Sequence, residues 1–375
     1  KSNAPYWSKT GQAKGRTTNM KAYQQYIRNV DPYVPGEQPH FDQMVKLNTN
    51  ENPYPPSPNV LQAIAAIPLQ EQRLYPDPSA HQLNAAIAKR YGLQEDQVFS
   101  GVGSDDVLAM LFLTFFNGTK PILFPDISYA FYPVWAKLFG IPYEAIPLNE
   151  QLRIVPEDYY RPNNGIVFPN PNAPTGIALP LDAIRSILEH NPDSIVLVDE
   201  AYVDFGAESA VSLLPEFENL IVVQTFSKSR ALAGSRIGFC MGAPELIRAL
   251  NNVKYSFNSY TLNRTAIAAG TAAMEDEDYF QRHLKLVVET REWTKQQLAQ
   301  LGFQFPDSKS NFLFVTHPDY DMCQLFTYLR SKQIFVRHFD TPRIVNYLRI
   351  TIGTPAEMET LLAAIREFLQ TEHTA

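Results

Sequence analysis

Five short, unbroken apolar runs constrain this chain more than any other feature. They are PILF (121–124), GIVF (165–168), SIVLVD (194–199), LIVVQT (220–225) and IGFCMG (237–242). A strand with one face in water alternates apolar and polar residues. These runs do not, so each predicts a strand buried on both faces. Helix-patterned stretches such as 181–189 lie between several of them. Strands alternating with helices give an α/β fold with a mostly parallel central sheet.

The last third reads differently. A long polar helix pattern covers 276–301, followed by the strand candidates NFLFV (311–315), IFVRHF (334–339) and NYLRITIG (346–353), then a helix over about 355–369. This predicts a smaller α+β domain, and 375 residues suffice for two domains. Residues 1–19 carry four cations and no acid. They read as a leader or arm before Met20, with no function assigned.

Bulk properties exclude several classes. A net charge of −7 argues against a nucleic-acid surface. The longest apolar run, near 107–116, is half of the ~20 residues a membrane span needs. Cys240 and Cys323 stand far apart, so no disulfide framework is expected and a reducing cytoplasm is the default. No His/Cys spacing suggests a metal.

The chemistry concentrates at strand ends. Lys228 lies in TFSKSRALAGSRIG (225–238), VDEAY (198–202) ends a strand at Asp199, and Arg236 follows eight residues after the lysine. An amine, a strand-end acid and a fixed cation match the needs of pyridoxal phosphate (PLP): a Schiff-base partner, a ring-nitrogen partner and a phosphate ligand. Ligands in open α/β sheets bind beyond the carboxyl ends of strands. Tyr202 could reach the ring's 3-oxygen. GVGSDD (101–106) opens a helix whose free N–H groups suit a phosphate. It is not a dinucleotide motif, because Asp106 stands where the third glycine belongs. The aromatics of ISYAFY (127–132) include candidates to stack on a ring. Taken singly, each has a plainer reading: a solvated lysine, a capping aspartate, a core tyrosine, an ordinary turn.

Taken in order, the motifs are specific. DPYVPG (31–36), NENP (50–53), R-x-Y-P (73–76), GVGSDD, NPNAPTG (170–176), VDEAY, SKSRALAGSR (227–236), Val336-Arg337 and YLRITIGT (347–354) follow one another along the chain. In these the sequence resembles the fold-type-I PLP-dependent aminotransferases, and among them the histidinol-phosphate aminotransferases, from about residue 22 to 370. The resemblance implies a large PLP-binding domain at 49–258, a small domain at 259–375 and an N-terminal segment, 20–48, that joins the small domain. It implies Lys228 as the Schiff-base lysine and proton carrier, Asp199 at the pyridine nitrogen, Tyr202 at the 3-oxygen and Tyr129 stacked on the ring. Ser104, Asp105, Ser227 and Arg236 would hold the phosphate. Tyr75 would reach the phosphate in a neighbouring subunit, which implies a homodimer.

Tyr33 and Asn52 would line the substrate entrance, and Arg349 would grip a carboxylate. Arg337, and Arg343 between them, could serve carboxylate and phosphate in turn. Many relatives carry Asn before Pro-Thr-Gly, where this chain has Ala173. Asn172 or Asn170 is the expected substitute at the 3-oxygen, or Tyr202 acts alone. The implied reaction is transamination between histidinol phosphate/imidazole-acetol phosphate and glutamate/2-oxoglutarate, in histidine biosynthesis. The alternatives are an aromatic amino-acid aminotransferase and a threonine-phosphate decarboxylase-like lyase.

Overall fold

A computed structural model describes residues 21–39, 41 and 43–372. The expected leader, 1–19, lies outside the described residues. The chain runs β1 (Val45–Lys46), α1 (Pro58–Ala65), α2 (His81–Tyr91), β2 (Val98–Gly101), α3 (Ser104–Phe115), β3 (Ile122–Pro125), α4 (Tyr132–Phe139) and β4 (Tyr143–Ile146). It continues through β5 (Ile166–Pro169), α5 (Leu181–Glu189), β6 (Val196–Asp199), β7 (Leu220–Thr225) and β8 (Gly238–Gly242). Then come α6 (Pro244–Phe257), α7 (Arg264–Glu275), α8 (Glu277–Gln300), β9 (Phe312–Val315) and α9 (Met322–Ser331). Last are β10 (Ile334–Phe335), β11 (Arg337–His338), β12 (Leu348–Thr351) and α10 (Pro355–Glu372).

The five apolar runs become β3, β5, β6, β7 and β8, and every residue of these strands is buried. They sit in a seven-stranded sheet of order β2-β8-β7-β6-β5-β3-β4. All neighbouring pairs are parallel except the two that β8 makes. One reversed strand has a useful result. Gly238, at the start of β8, pairs with both Thr225 and Gly101, the last residues of β7 and β2. Arg236 therefore joins the edge where β2, β5, β6 and β7 end.

The smaller sheet has antiparallel order β11-β12-β9, with α8 and α9 against it and the apolar side of α10 in the same core. The run IFVRHF, expected as one strand, is two. β10 pairs in parallel with β1, while β11 pairs with β12, and buried Val336 separates them. This break lets one run pair with the N-terminal segment through β10 and still present Arg337 from β11. α7 lies beyond residue 259, where the small domain is expected to begin. Its Ala266, Ile267, Ala269, Ala273 and Met274 nevertheless pack in the core beside the large sheet. Its Gly270 faces Leu83 and Ile237 too closely for a Cβ to fit without movement. Packing thus separates the two cores near Asp276, the residue that ends α7 and caps α8.

Candidate active site

A cleft of about 370 Å³ opens at the carboxyl edge of the large sheet, walled on its far side by residues of the smaller sheet. Lys228, Asp199, Tyr202, Tyr129, Ser227 and Arg236 all line it, although they come from different strand ends.

The cation sits against a helix start. α3 begins at Ser104, so the N–H groups of Ser104 and Asp105 have no acceptor within the helix. Arg236 donates to Ala233 O at 3.2 Å and to Ser227 Oγ at 3.4 Å, and lies 3.5 Å from Asp105 Oδ2. The approach needs glycine. Gly103 has φ +85°, and a Cβ there would lie 2.4 Å from the Arg236 guanidinium. A Cβ on Gly238 would lie 2.2 Å from the Ser104 nitrogen. The Asp105 carboxylate accepts the Tyr129 hydroxyl at 2.6 Å, so its backbone N–H is the part suited to an anion.

Asp199 ends β6 with only 5% of its surface exposed. Burial pushes its carboxyl up to about 6, against the pull of the Tyr132 hydroxyl (2.9 Å to Oδ2) and the Ala201 N–H (3.3 Å to Oδ1). Tyr202 accepts a hydrogen bond from Asn50 Nδ2 at 2.9 Å. That leaves its own phenolic proton free to be donated. Lys228 Nζ donates to Thr49 O at 3.1 Å.

On the wall formed by the smaller sheet stand Arg337 and Arg349. Arg349 donates to Asn48 O at 3.0 Å, its Nε is buried without a partner, and loss of water lowers its pKa. Neither arginine forms an ion pair among the described residues. Tyr33 also lines the cleft and stacks on Phe131 at 4.1 Å.

Five expected residues lie outside the lining of the cleft. Asn172 does not line the cleft; its amide donates to Ile127 O and Thr175 Oγ1. Asn170 is equally committed, to the backbone of Leu179. Ala173 and Pro174 form that wall, so Tyr202 is the group left for a ring oxygen. Asn52 does not line the cleft either. It donates to Lys228 O and Ser229 O, at 3.0 and 3.2 Å, and so holds the lysine's backbone. Arg343 is taken by Asp126 and by the carbonyls of Leu148 and Asn149. Tyr75 stacks on Tyr260 and is 77% exposed, outside this chain's own cleft; its expected contact is with a neighbouring subunit.

Sequence reasoning missed Tyr132, Asn50 and Thr49. Tyr132 sits in the aromatic run already noted, three residues after Tyr129, but its contact with Asp199 spans 67 residues. Asn50 opens the NENP motif, and Thr351 Oγ1 donates to its side chain from β12. Nothing local signals either contact.

The donor set fits pyridoxal phosphate. Free helix N–H groups and a guanidinium suit the phosphate, a buried acid suits the pyridine nitrogen, a phenol with a free proton suits the 3-oxygen, and a lysine amine suits the aldehyde. Among the described residues no cluster of His, Cys, Asp or Glu could hold a metal. No described helix is long and apolar enough to cross a membrane.

Residues 42–365 match the family described as aminotransferase class I and II. The protein named histidinol-phosphate aminotransferase 1 of Methylococcus capsulatus is 54% identical over 343 residues, 92% of this chain and 96% of its own. Its namesake in Pseudomonas aeruginosa is 52% identical, over 92% and 98%. The histidinol-phosphate aminotransferase of Sinorhizobium meliloti, solved in complex with pyridoxal-5'-phosphate, superposes with a TM-score of 0.78 at 24% identity, covering 87% of this chain and 91% of that one. That of Clostridium acetobutylicum gives 0.80 at 21%, covering 88% and 100%. At these identities the two structures speak for the fold.

Proposed function

The chain belongs to the class I and II aminotransferases, and from that premise we propose that it moves an amino group between glutamate and imidazole-acetol phosphate, forming histidinol phosphate for histidine biosynthesis. Relatives of that name, above 50% identity over nine-tenths of the chain, support the substrate. The observation that carries the reading is one cleft holding Lys228, Asp199 and Arg236 beside two arginines without an acid.

Pyridoxal phosphate, when bound, supplies an aldehyde for the amino group and an electron sink for the pair released at the substrate α-carbon. Arg236, Ser227 and the N–H groups of Ser104 and Asp105 hold its phosphate. Asp199 holds the ring nitrogen, Tyr202 donates to the 3-oxygen, and Tyr129 covers the ring. Lys228 Nζ takes the proton from the α-carbon and returns it on the other side of the exchange. Arg349 orients the glutamate carboxylate. Arg337 takes the second carboxylate of glutamate or, in the other half, the phosphate of the second substrate. A guanidinium fork fits both anions.

We also infer a homodimer. Tyr75, Leu69, Phe257 and Leu61 are each more than 70% exposed, apolar surface that a partner would cover. A second copy covering it would carry Tyr75 toward the partner's phosphate site. Sedimentation showing a monomer at micromolar concentration would exclude this. Two packed cores support a large and a small domain, with the division near Asp276. An exposed free thiol, Cys323, suits a reducing cytoplasm, which cell fractionation checks.

The deciding experiment supplies glutamate and imidazole-acetol phosphate and measures 2-oxoglutarate. Equal turnover of phenylalanine would point to an aromatic aminotransferase. Carbon dioxide released from a phosphorylated amino acid without a keto-acid acceptor would point to a lyase.

A further inference from the structure

Asp199 is faced from three elements. Asp105 lies on α3, Tyr129 on the turn after β3, and Tyr132 begins α4. Asp105 is an acid and opposes the charged carboxylate. Tyr129 donates its hydrogen bond to Asp105. Two donors reach Asp199: the Ala201 N–H at a long 3.3 Å, and the Tyr132 hydroxyl at 2.9 Å.

Tyr132 has no exposed surface. Its ring is enclosed by Phe112, Phe124, Tyr129 and Trp135, with centroids 5.6–6.3 Å away. Those rings fix the phenol but offer its hydroxyl no acceptor, and a buried hydroxyl needs one. Burial and the neighbouring acid raise the phenol's pKa far beyond its ordinary range, so it remains a donor at every working pH.

We infer that Tyr132 is a positioning residue that fixes the rotamer of Asp199 and keeps it charged toward the cleft. The inference rests on the reading of Asp199 as the partner of the cofactor's ring nitrogen. An acid in that role must be both aimed and ionised. Removing the hydroxyl leaves a buried carboxylate with one long hydrogen bond, so its neutral form gains.

The test is Tyr132→Phe, which keeps the ring. In the holoenzyme the acid limb of the kcat/KM profile is expected to move up by roughly one to two pH units. The apoenzyme gives a readout independent of catalysis. Asp199 titrates near 6 in the fold and at 3.8 ordinarily. The native state thus holds this proton more tightly, and the group's stabilisation, full below the lower value, is lost as pH rises through the upper one. Raising the folded value extends that loss. Denaturation should therefore show the gap between wild type and Tyr132→Phe widening above pH 6. In an Asp199→Asn background the gap should not depend on pH.

An unmoved acid limb with a pH-independent gap would reduce Tyr132 to core packing and overturn the proposal. Asp199→Asn at wild-type cofactor affinity would overturn the ring-nitrogen reading instead. The apoenzyme comparison would then still decide whether Tyr132 acts on Asp199.

Discussion

Arg337 on β11 and Arg349 on β12 are direct register partners across an antiparallel pair, so their side chains leave the small sheet on one face. Both line the cleft, and neither has an acid partner among the described residues. Opposed like charges destabilise a sheet unless an anion lies between them. Arg349→Gln is expected to leave the ligand-free protein as stable as wild type or more so. It should also cut kcat/KM for glutamate by about a hundredfold, the scale of a lost charge-assisted hydrogen bond. Thermal shifts with and without glutamate, together with steady-state kinetics, check both arms.

Lys228→Ala removes the group that moves the proton. Turnover should fall by at least ~10³-fold, while cofactor remains held through Arg236, Ser227 and Asp199. Glutamate should then fail to convert the cofactor to its amine form, a conversion it drives in the wild type. Conversion retained in the variant would give the proton transfer to another residue.

Arg236→Ala should weaken cofactor binding by about 10- to 100-fold, as expected for an arginine–phosphate contact. Gly103→Ala should act in the same direction for another reason. Its φ of +85° strains any Cβ, and that Cβ would land on the Arg236 guanidinium. Equilibrium titration of the apoenzymes with pyridoxal phosphate measures both.

Asn52 touches the carbonyls of Lys228 and Ser229, not the cleft. Asn52→Ala should therefore lower kcat by about tenfold, one lost hydrogen bond at the lysine's backbone, with KM for both substrates little changed. A raised KM with unchanged kcat would return Asn52 to the substrate.

Glu200 follows Asp199 but is buried in the other direction. It accepts from Ser209 Oγ and Ala210 N–H, both at 2.6 Å, and from Gln224 Nε2 at 2.9 Å. Burial outweighs these donors and raises its carboxyl from 4.5 to about 7. The native state again binds the proton more tightly, so this group favours folding below 4.5 and loses that contribution as pH rises to about 7. Glu200→Gln should remove this share, flattening the fall in apoenzyme stability over that window. Chemical denaturation across the pH range measures it.

The large sheet was legible because burial on both faces removes polar alternation from a strand, and LIVVQT became β7 over the same six residues. The lysine, the strand-end acid and the cation were legible because the sheet's chemistry clusters where strands end. The arrangement of IFVRHF was not. A six-residue strand-forming stretch carries no mark of which neighbour each half will pair with, and β10 and β11 went to different sheets. Nor was the membership of α7, whose small residues suit either core. Asn172 and Asn52 were assigned from neighbouring motifs, but a side chain's direction depends on the acceptors around it. Here those acceptors were Ile127 O and Lys228 O.

The order of residues therefore settled which strands could be buried and which groups could meet at their ends, since apolar runs and strand termini are local properties. It did not settle the second ring of contacts. Tyr132 reaches Asp199 across 67 positions, Asn50 reaches Tyr202 across 152, and Arg349 faces Arg337 through a strand pairing. Each contact exists because the folded layers bring distant chain together in a space closed to water, where an unmatched polar group is costly and must find a partner.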